Sequence, residues 1–427
     1  MRKVILFFVT STFFMTTPVD SIEKDFELSN EGQFQLTSPI YSDYYDRIPV
    51  NPNVYETLKT FKDINLTETA GNLQPNQKIV ISDFKVNDQF QPVFVLEDGT
   101  FILASAATIF EDTIQSSYLT KDTFWLEKNA TVMTSPIGNE AKKVSKAPAA
   151  FSQVTVTEFV TTPRGDFAKI AEGWVSTEYL SAEDNRMEKV QEILSQKYNQ
   201  TDYGIYVQQL ETGITAGVNE DRVMYSASTA KLPILYMVQL QLNDGTVKLS
   251  DKLKYTEAVH QFDGAYKPEG AGSMPKKADD KEYTIGELIQ LTAKKSDNVA
   301  SNILSYYLTK EFNDTYYRTL DAVTKTRWAM ATRDATAKQA GLVMAALYNL
   351  NPNGEVLEAL SNTDFDKERI AKNIDVKIAH KVGDAYDFRH DVAIVYTNSP
   401  YVIAIFTNNK SYNDITNISD DIYAVLK

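Results

Sequence analysis

The stretch that decides the fold is YSASTAKLPILY, residues 225–236. From Ala230 onward it has the composition of a buried apolar helix, yet Lys231 stands in the first turn. Ser228 precedes this lysine by three positions, and residues i and i+3 lie on the same face of a helix. The pattern predicts a hydroxyl and an amine side by side at the start of a buried helix.

This pairing suits nucleophilic chemistry. A serine hydroxyl is a weak nucleophile at neutral pH and needs a neighbouring base. Lys231 can be that base only if its pKa falls, which burial and the positive end of the helix dipole both favour. Free backbone N–H groups at the helix start could also bind an oxyanion. Ser-x-x-Lys alone is a weak pattern, because Ser21-Ile22-Glu23-Lys24 also satisfies it and a lysine near a helix start is ordinary.

Two later stretches of the sequence contain further polar residues that could belong to the same site. Residues 283–304, YTIGELIQLTAKKSDNVASNIL, predict two helices with a capping box at Thr284 and Glu287. The loop between the helices contains Ser296-Asp297-Asn298, which supplies a hydroxyl and an amide. Residues 378–391, IAHKVGDAYDFRHD, place Lys381-Val382-Gly383 on a strand before the final hairpin.

The outer parts of the same region predict strands. Residues 203–218 and 390–409 read as β-hairpins, with turns at 211–213 and 398–400. A closing helix is expected over about 412–427. Strands at both ends with helices between them predict an α+β fold with an antiparallel sheet whose first and last strands are neighbours.

Residues 186–427 resemble the superfamily of class A β-lactamases and penicillin-binding proteins, which carries Ser-x-x-Lys, Ser-Asp-Asn and Lys-Thr-Gly motifs. The resemblance implies a β-lactamase/transpeptidase-like fold, with an antiparallel sheet packed against a helical lobe. It implies that Ser228 is the acylated nucleophile and Lys231 its base partner. Ser296 would relay a proton to the leaving nitrogen, and Asn298 would orient the substrate.

The strand motif departs from the family pattern. By resemblance, Lys381 and Gly383 form the wall that holds an acidic substrate, and the backbone N–H groups of Ser228 and Asp384 bind the oxyanion. Val382 stands where the family usually has threonine, so a hydroxyl that would bond a substrate carboxylate is missing. The Asp384 side chain should disfavour an anionic ligand unless Arg389 or Lys381 offsets its charge.

The segment that carries the deacylation base in class A enzymes also differs from the family pattern. No glutamate lies between residues 312 and 354. Asp334 is expected to cap the helix that follows it. Residues 268–277, PEGAGSMPKK, are expected to form a flexible surface loop near the mouth of the site.

The first part of the chain has a different pattern of apolar and polar residues. Short β-type alternation predicts strands, for example over residues 91–105 and 152–162, and two small all-β barrels, residues 23–112 and 121–184. The repeat is suggested by TSPI at 37–40 and 134–137 and by glycines at 99 and 173. GDFAKIAEGWVSTEYL (165–180) resembles a bacterial SH3-like domain, which implies binding to cell wall or peptide. The alternative is a β-rich spacer with Trp174 in its core.

Residues 1–22 are predicted to be a signal peptide or an N-terminal anchor. Arg2 and Lys3 precede an apolar run over 4–15, which is shorter than the ~20 residues of a membrane-spanning helix. The protein is therefore expected to be secreted or held at the cell surface, with any membrane contact made by an uncleaved N-terminal segment. A buried strand is the alternative.

Composition excludes several classes of partner. The chain has 43 Lys and Arg against 57 Asp and Glu, a formal charge of −14, which disfavours nucleic-acid binding. There is no cysteine, so disulfides and thiolate metal sites are excluded. His260, His380 and His390 lack metal-ligand spacing, and neither a metal nor a cofactor is expected.

Two functions follow as hypotheses. The first is an exported serine acyl-enzyme that acts on β-lactams or on peptidoglycan peptide amides, with slow deacylation. The alternative is a non-enzymatic cell-wall-binding protein that retains the fold with a weakened site. Val382 and the absent glutamate favour the alternative. The retention of Ser228, Lys231, Ser296 and Lys381 argues against it.

Overall fold

The computed structural model describes residues 28–37 and 43–427. The predicted signal or anchor segment and most of the first TSPI stretch lie outside the described residues. The described chain forms two compact units. One contains residues 28–37, 43–124, 128–149 and 154–180, and the other contains 125–127, 150–153 and 181–427.

The first unit is mainly β-strand within the described residues, with one α-helix, α1, over Asn30–Thr37. Its strands form two five-stranded sheets, ordered β3-β2-β6-β5-β4 and β11-β10-β9-β8-β12, and β1 pairs with β7. The strands are β1 Pro52–Val54, β2 Leu58–Phe61, β3 Thr69–Leu73, β4 Ile81–Val86, β5 Pro92–Leu96, β6 Phe101–Leu103, β7 Ile109–Glu111, β8 Ser116–Leu126, β9 Gln153–Thr162, β10 Gly165–Ile170, β11 Gly173–Ser176 and β12 Leu180–Ser181.

The two glycines used to align the repeat occupy matching hairpins. Gly99 lies in the turn between β5 and β6 with φ +82°, a conformation that favours glycine. Gly173 begins β11 after β10, where an added Cβ would lie 2.4 Å from the Met133 carbonyl oxygen. In each sheet the hairpin is flanked by the strand before it, β4 or β9. The SH3-like assignment and the two barrel boundaries stay predictions.

A buried carboxylate links the two halves of this unit. Asp112 accepts hydrogen bonds from Asn53 Nδ2 at 2.9 Å and Gly138 N at 2.7 Å. Arg164 Nε donates to the same carboxylate at 3.3 Å. Because Asn53 lies on β1 and Arg164 in the turn after β9, one side chain joins segments from both predicted barrels.

The second unit has the α+β architecture expected from the sequence. Its five-stranded sheet has the order β14-β13-β21-β20-β19, and β13 pairs with β21, which confirms that the first and last strands are neighbours. Both predicted hairpins are present. Its elements are α2 Arg186–Lys197, β13 Tyr203–Gln209, β14 Thr215–Val218, β15 Met224–Tyr225, α3 Lys231–Asn243, β16 Lys252–Lys254, β17 Glu282–Thr284, α4 Ile285–Lys294, α5 Asn298–Leu308, α6 Asp314–Thr324, β18 Asp334–Ala335, α7 Ala337–Leu350, α8 Glu355–Leu360, β19 Ile378–Ala385, β20 Phe388–Val395, β21 Tyr401–Asn408 and α9 Tyr412–Leu426.

The sheet separates two apolar cores because successive strand residues point to opposite faces. On β21, Val402 and Phe406 face the larger core, which also contains the apolar residues of α3, α5 and α7. Ile403 and Ile405 face a smaller core built with α2 and α9. The larger core surrounds α3, so the helix that follows Ser228 is buried on nearly all sides.

Helix starts in this unit were predicted with mixed success. The capping box of Thr284 and Glu287 at the start of α4 is confirmed. The prediction that Asp334 caps the next helix after the shortened segment is wrong. Thr336 is the N-cap of α7, where it forms a capping box with Gln339, while Asp334 is exposed on β18 and pairs with Tyr225. Among the described helices, none is long and apolar enough to cross a membrane.

Candidate active site

The turn before α3 presents the predicted nucleophile. Residues Ala227–Ala230 form a 3-10 turn, and Ala227 has a left-handed φ of +49°. Ser228 is half-buried, and its Oγ lies 2.9 Å from Lys231 Nζ. The predicted contact between the two side chains is therefore present.

Gly383 lets strand β19 approach this turn closely. A Cβ at Gly383 would lie 3.0 Å from the Ser226 carbonyl oxygen and 3.1 Å from Thr229 N. These distances are shorter than most Cβ contacts in proteins, so a side chain here would push the strand away. The glycine thus places the strand that carries Lys381 directly beside the nucleophile turn.

The buried amine of Lys231 has contacts suited to a neutral base. Nζ lies 2.8 Å from the Ser296 carbonyl oxygen and 2.8 Å from Asn298 Oδ1, both of which only accept hydrogen bonds. Asn298 Nδ2 donates to the Lys267 carbonyl at 2.8 Å, which fixes the orientation of the amide. A neutral amine that donates to these two oxygens keeps one lone pair for its hydroxyl neighbours, of which Ser228 Oγ at 2.9 Å is nearer than Ser296 Oγ at 3.2 Å.

Burial lowers the pKa of Lys231 well below its usual value, and the positive charges of Lys381 and Arg333 lower it further. Burial also lowers the pKa of Lys381 to about 7, helped by the charge of Arg369. The protein therefore disfavours the charged form of both lysines. Lys231 can accept a proton from Ser228, and Lys381 can exchange one near neutral pH.

Ser296 connects the two amines. Its Oγ lies 2.9 Å from Lys381 Nζ and 3.2 Å from Lys231 Nζ. The residue has a left-handed φ of +54°, and it is buried in the loop between α4 and α5. The three side chains form a continuous hydrogen-bonded path along which a proton can move.

Asp297 fixes this loop and was not assigned a role from the sequence. As the N-cap of α5, its side chain accepts from Val299 N and Ala300 N. It also accepts from Ser273 N at 2.5 Å and Met274 N at 2.8 Å, so residues 268–277 are anchored to the Ser-Asp-Asn motif. The N-cap could have been predicted from its position before a helix, whereas the contact with a distant loop has no local signal.

Asp384 is paired with an arginine that sequence reasoning missed. Arg369 Nη2 lies 2.5 Å from Asp384 Oδ2, and Tyr412 Oη donates to Oδ1 at 3.1 Å. The guanidinium also lies over the Tyr412 ring at 3.9 Å. Arg389, one of the two expected partners, is 3.6 Å from Oδ1. The expected contribution of Arg389 is therefore present, and buried Arg369 is a second, nearer cation for this carboxylate.

The predicted site residues thus fall into three groups. Ser228, Lys231, Ser296, Asn298 and Lys381 share one hydrogen-bonded group. Gly383 contacts the backbone of the nucleophile turn. The carboxylate of Asp384 is held by its ion pair with Arg369.

The histidines lie outside this hydrogen-bonded group. His380 bonds to Asp366 and Asp391, whose charges outweigh its burial and raise its pKa to about 9. Burial lowers the pKa of His390 to about 4, which leaves it neutral. Within residues 28–37 and 43–427, no group of three or more histidines and carboxylates is arranged to hold a metal ion.

A serine beside a buried lysine with a depressed pKa, joined to a second serine and a second lysine, is the arrangement of a serine hydrolase. The chain belongs to the β-lactamase enzyme family, whose family model matches residues 185–426. It is a β-lactamase-like serine hydrolase. A search of curated proteins found no match.

Solved structures with similar folds include a protein titled PBP-A, at 22% identity and a TM-score of 0.47, covering 57% of this chain and 96% of that chain. The acyl-enzyme complex of the PBP-A L158E mutant with penicillin G has 22% identity and a TM-score of 0.46, with the same coverage. A β-lactamase from Sphaerobacter thermophilus has 21% identity and a TM-score of 0.45, covering 56% of this chain and 95% of that one.

Proposed function

We propose that this protein is an exported serine acyl-enzyme that is acylated at Ser228 by β-lactams or by peptidoglycan peptide amides. The observation that carries the proposal is the environment of Lys231. Its amine donates to two carbonyl oxygens, and the nearer of its two hydroxyl neighbours is Ser228 Oγ at 2.9 Å, with Ser296 Oγ at 3.2 Å. An amine held in this way is a base already aimed at the nucleophile.

In the acylation step, the Ser228 hydroxyl transfers its proton to Lys231 Nζ as Oγ attacks the carbonyl carbon. The resulting oxyanion is bound by the backbone N–H groups of Ser228 and Asp384. When the C–N bond breaks, the leaving nitrogen takes the Ser296 hydroxyl proton. Ser296 regains a proton from Lys231 or Lys381, which lie 3.2 and 2.9 Å from its oxygen. This sequence leaves a Ser228 ester and a neutral leaving amine.

Substrate orientation depends on the same group of residues. The cation of Lys381 attracts a substrate carboxylate, and Arg369 offsets the charge that Asp384 would present to it. The Oδ1 of Asn298 is already bonded to Lys231 and its Nδ2 to the Lys267 carbonyl. Asn298 therefore acts on the substrate by holding the wall of the site in place.

Deacylation is proposed to be slow. Hydrolysis of the ester needs a base that activates water, and a positioned base contributes ~10²–10⁴ in rate. The segment between α6 and α7 contains no glutamate, and Asp334 in that segment is exposed with its Oδ2 accepting from Thr332 at 2.8 Å. The protein would then hold a β-lactam as a long-lived ester.

Intact-mass spectrometry tests this function directly. Incubation with a penicillin should add the mass of the drug to the protein, and peptide mapping should place it on Ser228. The Ser228→Ala variant is the matched control and should remain unmodified. Failure of several penicillins, cephalosporins and D-Ala-D-Ala peptides to acylate the folded protein would favour the non-enzymatic alternative.

That alternative is a wall-binding protein with a weakened site. It is favoured by Val382, which removes a substrate-binding hydroxyl, and by the absent glutamate. Wall docking by the β-rich first unit belongs to both proposals. The full-length Ser228→Ala protein should sediment with purified cell walls, and protein that stays in the supernatant would contradict docking.

A further inference from the structure

Arg333 lies in the shortened segment between α6 and α7, and its backbone is bonded to the nucleophile turn. The residue has a left-handed φ of +60°. Its carbonyl oxygen accepts from both the N–H and the hydroxyl of Ser226, each at 2.7 Å. Because Ser226 lies two positions before Ser228, this segment helps to set the position of the nucleophile.

The guanidinium of Arg333 reaches across the same wall. Nη1 donates to Tyr225 Oη at 3.2 Å, and Nη2 donates to the carbonyls of Gly264 and Ala265 at 2.9 and 3.1 Å. The Cζ atom lies 4.0 Å from the centroid of the Tyr266 ring. All these partners are neutral, so none of them is a carboxylate that would balance the positive charge of Arg333.

Lys231 contacts the same aromatic ring. Its Nζ lies 4.3 Å from the Tyr266 centroid, so the lysine and arginine charges are at most ~8 Å apart. The other charged groups that face this amine are Lys381 on β19 and Asp297 before α5. Asp297 is engaged by four backbone N–H groups. The surroundings of Lys231 are therefore positive overall.

We propose that Arg333 is a positioning residue that keeps Lys231 in its free-base form and holds Tyr266 against it. A carboxylate in this segment would favour the ammonium form of Lys231, whereas a guanidinium favours the amine. The shortened segment thus supports acylation while it supplies no base for deacylation. The inference rests on the proposed function, because Lys231 is the base of that reaction and the charge of Arg333 would control its protonation.

The test measures the titration of Lys231 separately from activity. Full-length protein labelled with ¹³Cε-lysine is titrated by NMR, and the Lys231 resonance is assigned by its loss in Lys231→Ala. The wild-type midpoint should lie well below the ~10.4 of an ordinary lysine. Arg333→Gln should shift the midpoint upward. At a pH below the wild-type midpoint, Arg333→Gln should slow acylation by a penicillin about 30-fold, the effect of one like charge ~8 Å away at an effective dielectric constant of ~20.

Two further variants separate charge from structure. Arg333→Lys keeps the charge and should leave the midpoint close to that of the wild type. Arg327→Gln is the matched control, because Arg327 lies in the same segment and over a tyrosine ring, yet is exposed and paired with Asp321. It should change neither the midpoint nor the rate.

Three results would overturn the proposal. The first is a Lys231 midpoint in the wild-type protein equal to that of an ordinary lysine, a result that does not depend on any variant being folded. The second is an unchanged Lys231 midpoint in folded Arg333→Gln. The third is a shift of the midpoint in Arg327→Gln as large as that in Arg333→Gln. If Lys231 titrates as expected but no drug acylates Ser228, the proposed function fails and the role of Arg333 on the amine stands.

Discussion

The rate of acylation should fall above neutral pH because Lys381 loses its charge there. Burial and the nearby charge of Arg369 lower the pKa of this lysine to about 7. The folded protein therefore carries the cation below pH 7 and loses it as the pH rises. If binding of the substrate carboxylate needs the cation, only about one molecule in a hundred is competent at pH 9. With Lys231 in its free-base form, we expect acylation at pH 9 to be about 100-fold slower than when Lys381 is fully charged.

Two substitutions should shift the alkaline limb of the pH profile, the range in which the acylation rate falls, in opposite directions. Arg369→Gln removes a positive charge that lowers the pKa of Lys381, so the limb should move to higher pH. Asp384→Asn removes a negative charge that raises the same pKa, so the limb should move to lower pH. Lys377→Gln is the control, because this lysine precedes β19 and pairs with the exposed Glu358.

The assay is stopped-flow acylation by a chromogenic cephalosporin between pH 5 and 10, with circular dichroism to show that each variant is folded. A flat profile up to pH 9.5 would refute the assignment of the limb to Lys381. Shifts of the same sign in Arg369→Gln and Asp384→Asn would refute the electrostatic argument even if the limb exists.

Three further predictions follow from the geometry. A chromogenic cephalosporin should give a burst of about one equivalent followed by slow turnover, because no base for deacylation is supplied; rapid turnover without a burst would contradict this and direct attention to Asp334. Gly383→Val should slow acylation by about 100-fold, since a Cβ there would lie 3.0 Å from the Ser226 carbonyl and displace β19; an unchanged rate would show that the strand can shift without consequence. Asp112→Ala should lower the free energy of unfolding of the β-rich unit by about 3 kcal/mol in chemical denaturation, because three donors lose a buried acceptor. Asp98→Ala, at an exposed position, is the control and should lower it by less than ~1 kcal/mol. Equal losses in the two variants would contradict a specific role for Asp112.

The first unit remains the part whose function is least constrained by local patterns. Alternating apolar residues predicted strands over residues 91–105 and 152–162, and strands are present in both stretches. Matching hairpins at Gly99 and Gly173 support a structural repeat. Binding by such a unit depends on which side chains cover its surface, and strand periodicity carries no information about that.

The sequence by itself determined the class of the second unit and the residues of its candidate site. A helix repeats every 3.6 residues, so Ser-x-x-Lys at a helix start already places Ser228 beside Lys231. The capping box at Thr284 and the two hairpins are likewise local, because each depends on residues a few positions apart. The resemblance then identified Ser296, Asn298 and Lys381, which the structure brings into one hydrogen-bonded group with Lys231.

Only the tertiary structure decided which charges surround these residues. Arg369 pairs with Asp384, Asp297 anchors a loop about 24 residues earlier, and Arg333 shares the Tyr266 ring with Lys231. None of these contacts belongs to a motif, since each joins segments that are adjacent only after the sheet and helices have packed. The same is true of Thr336, which caps α7 in place of Asp334 because the pairing of β18 with β15 holds Asp334 in a strand. Packing decides which side chains are buried and which distant charges lie beside them, and burial first, with these charges second, lowers the pKa values of Lys231 and Lys381 on which the proposed chemistry depends.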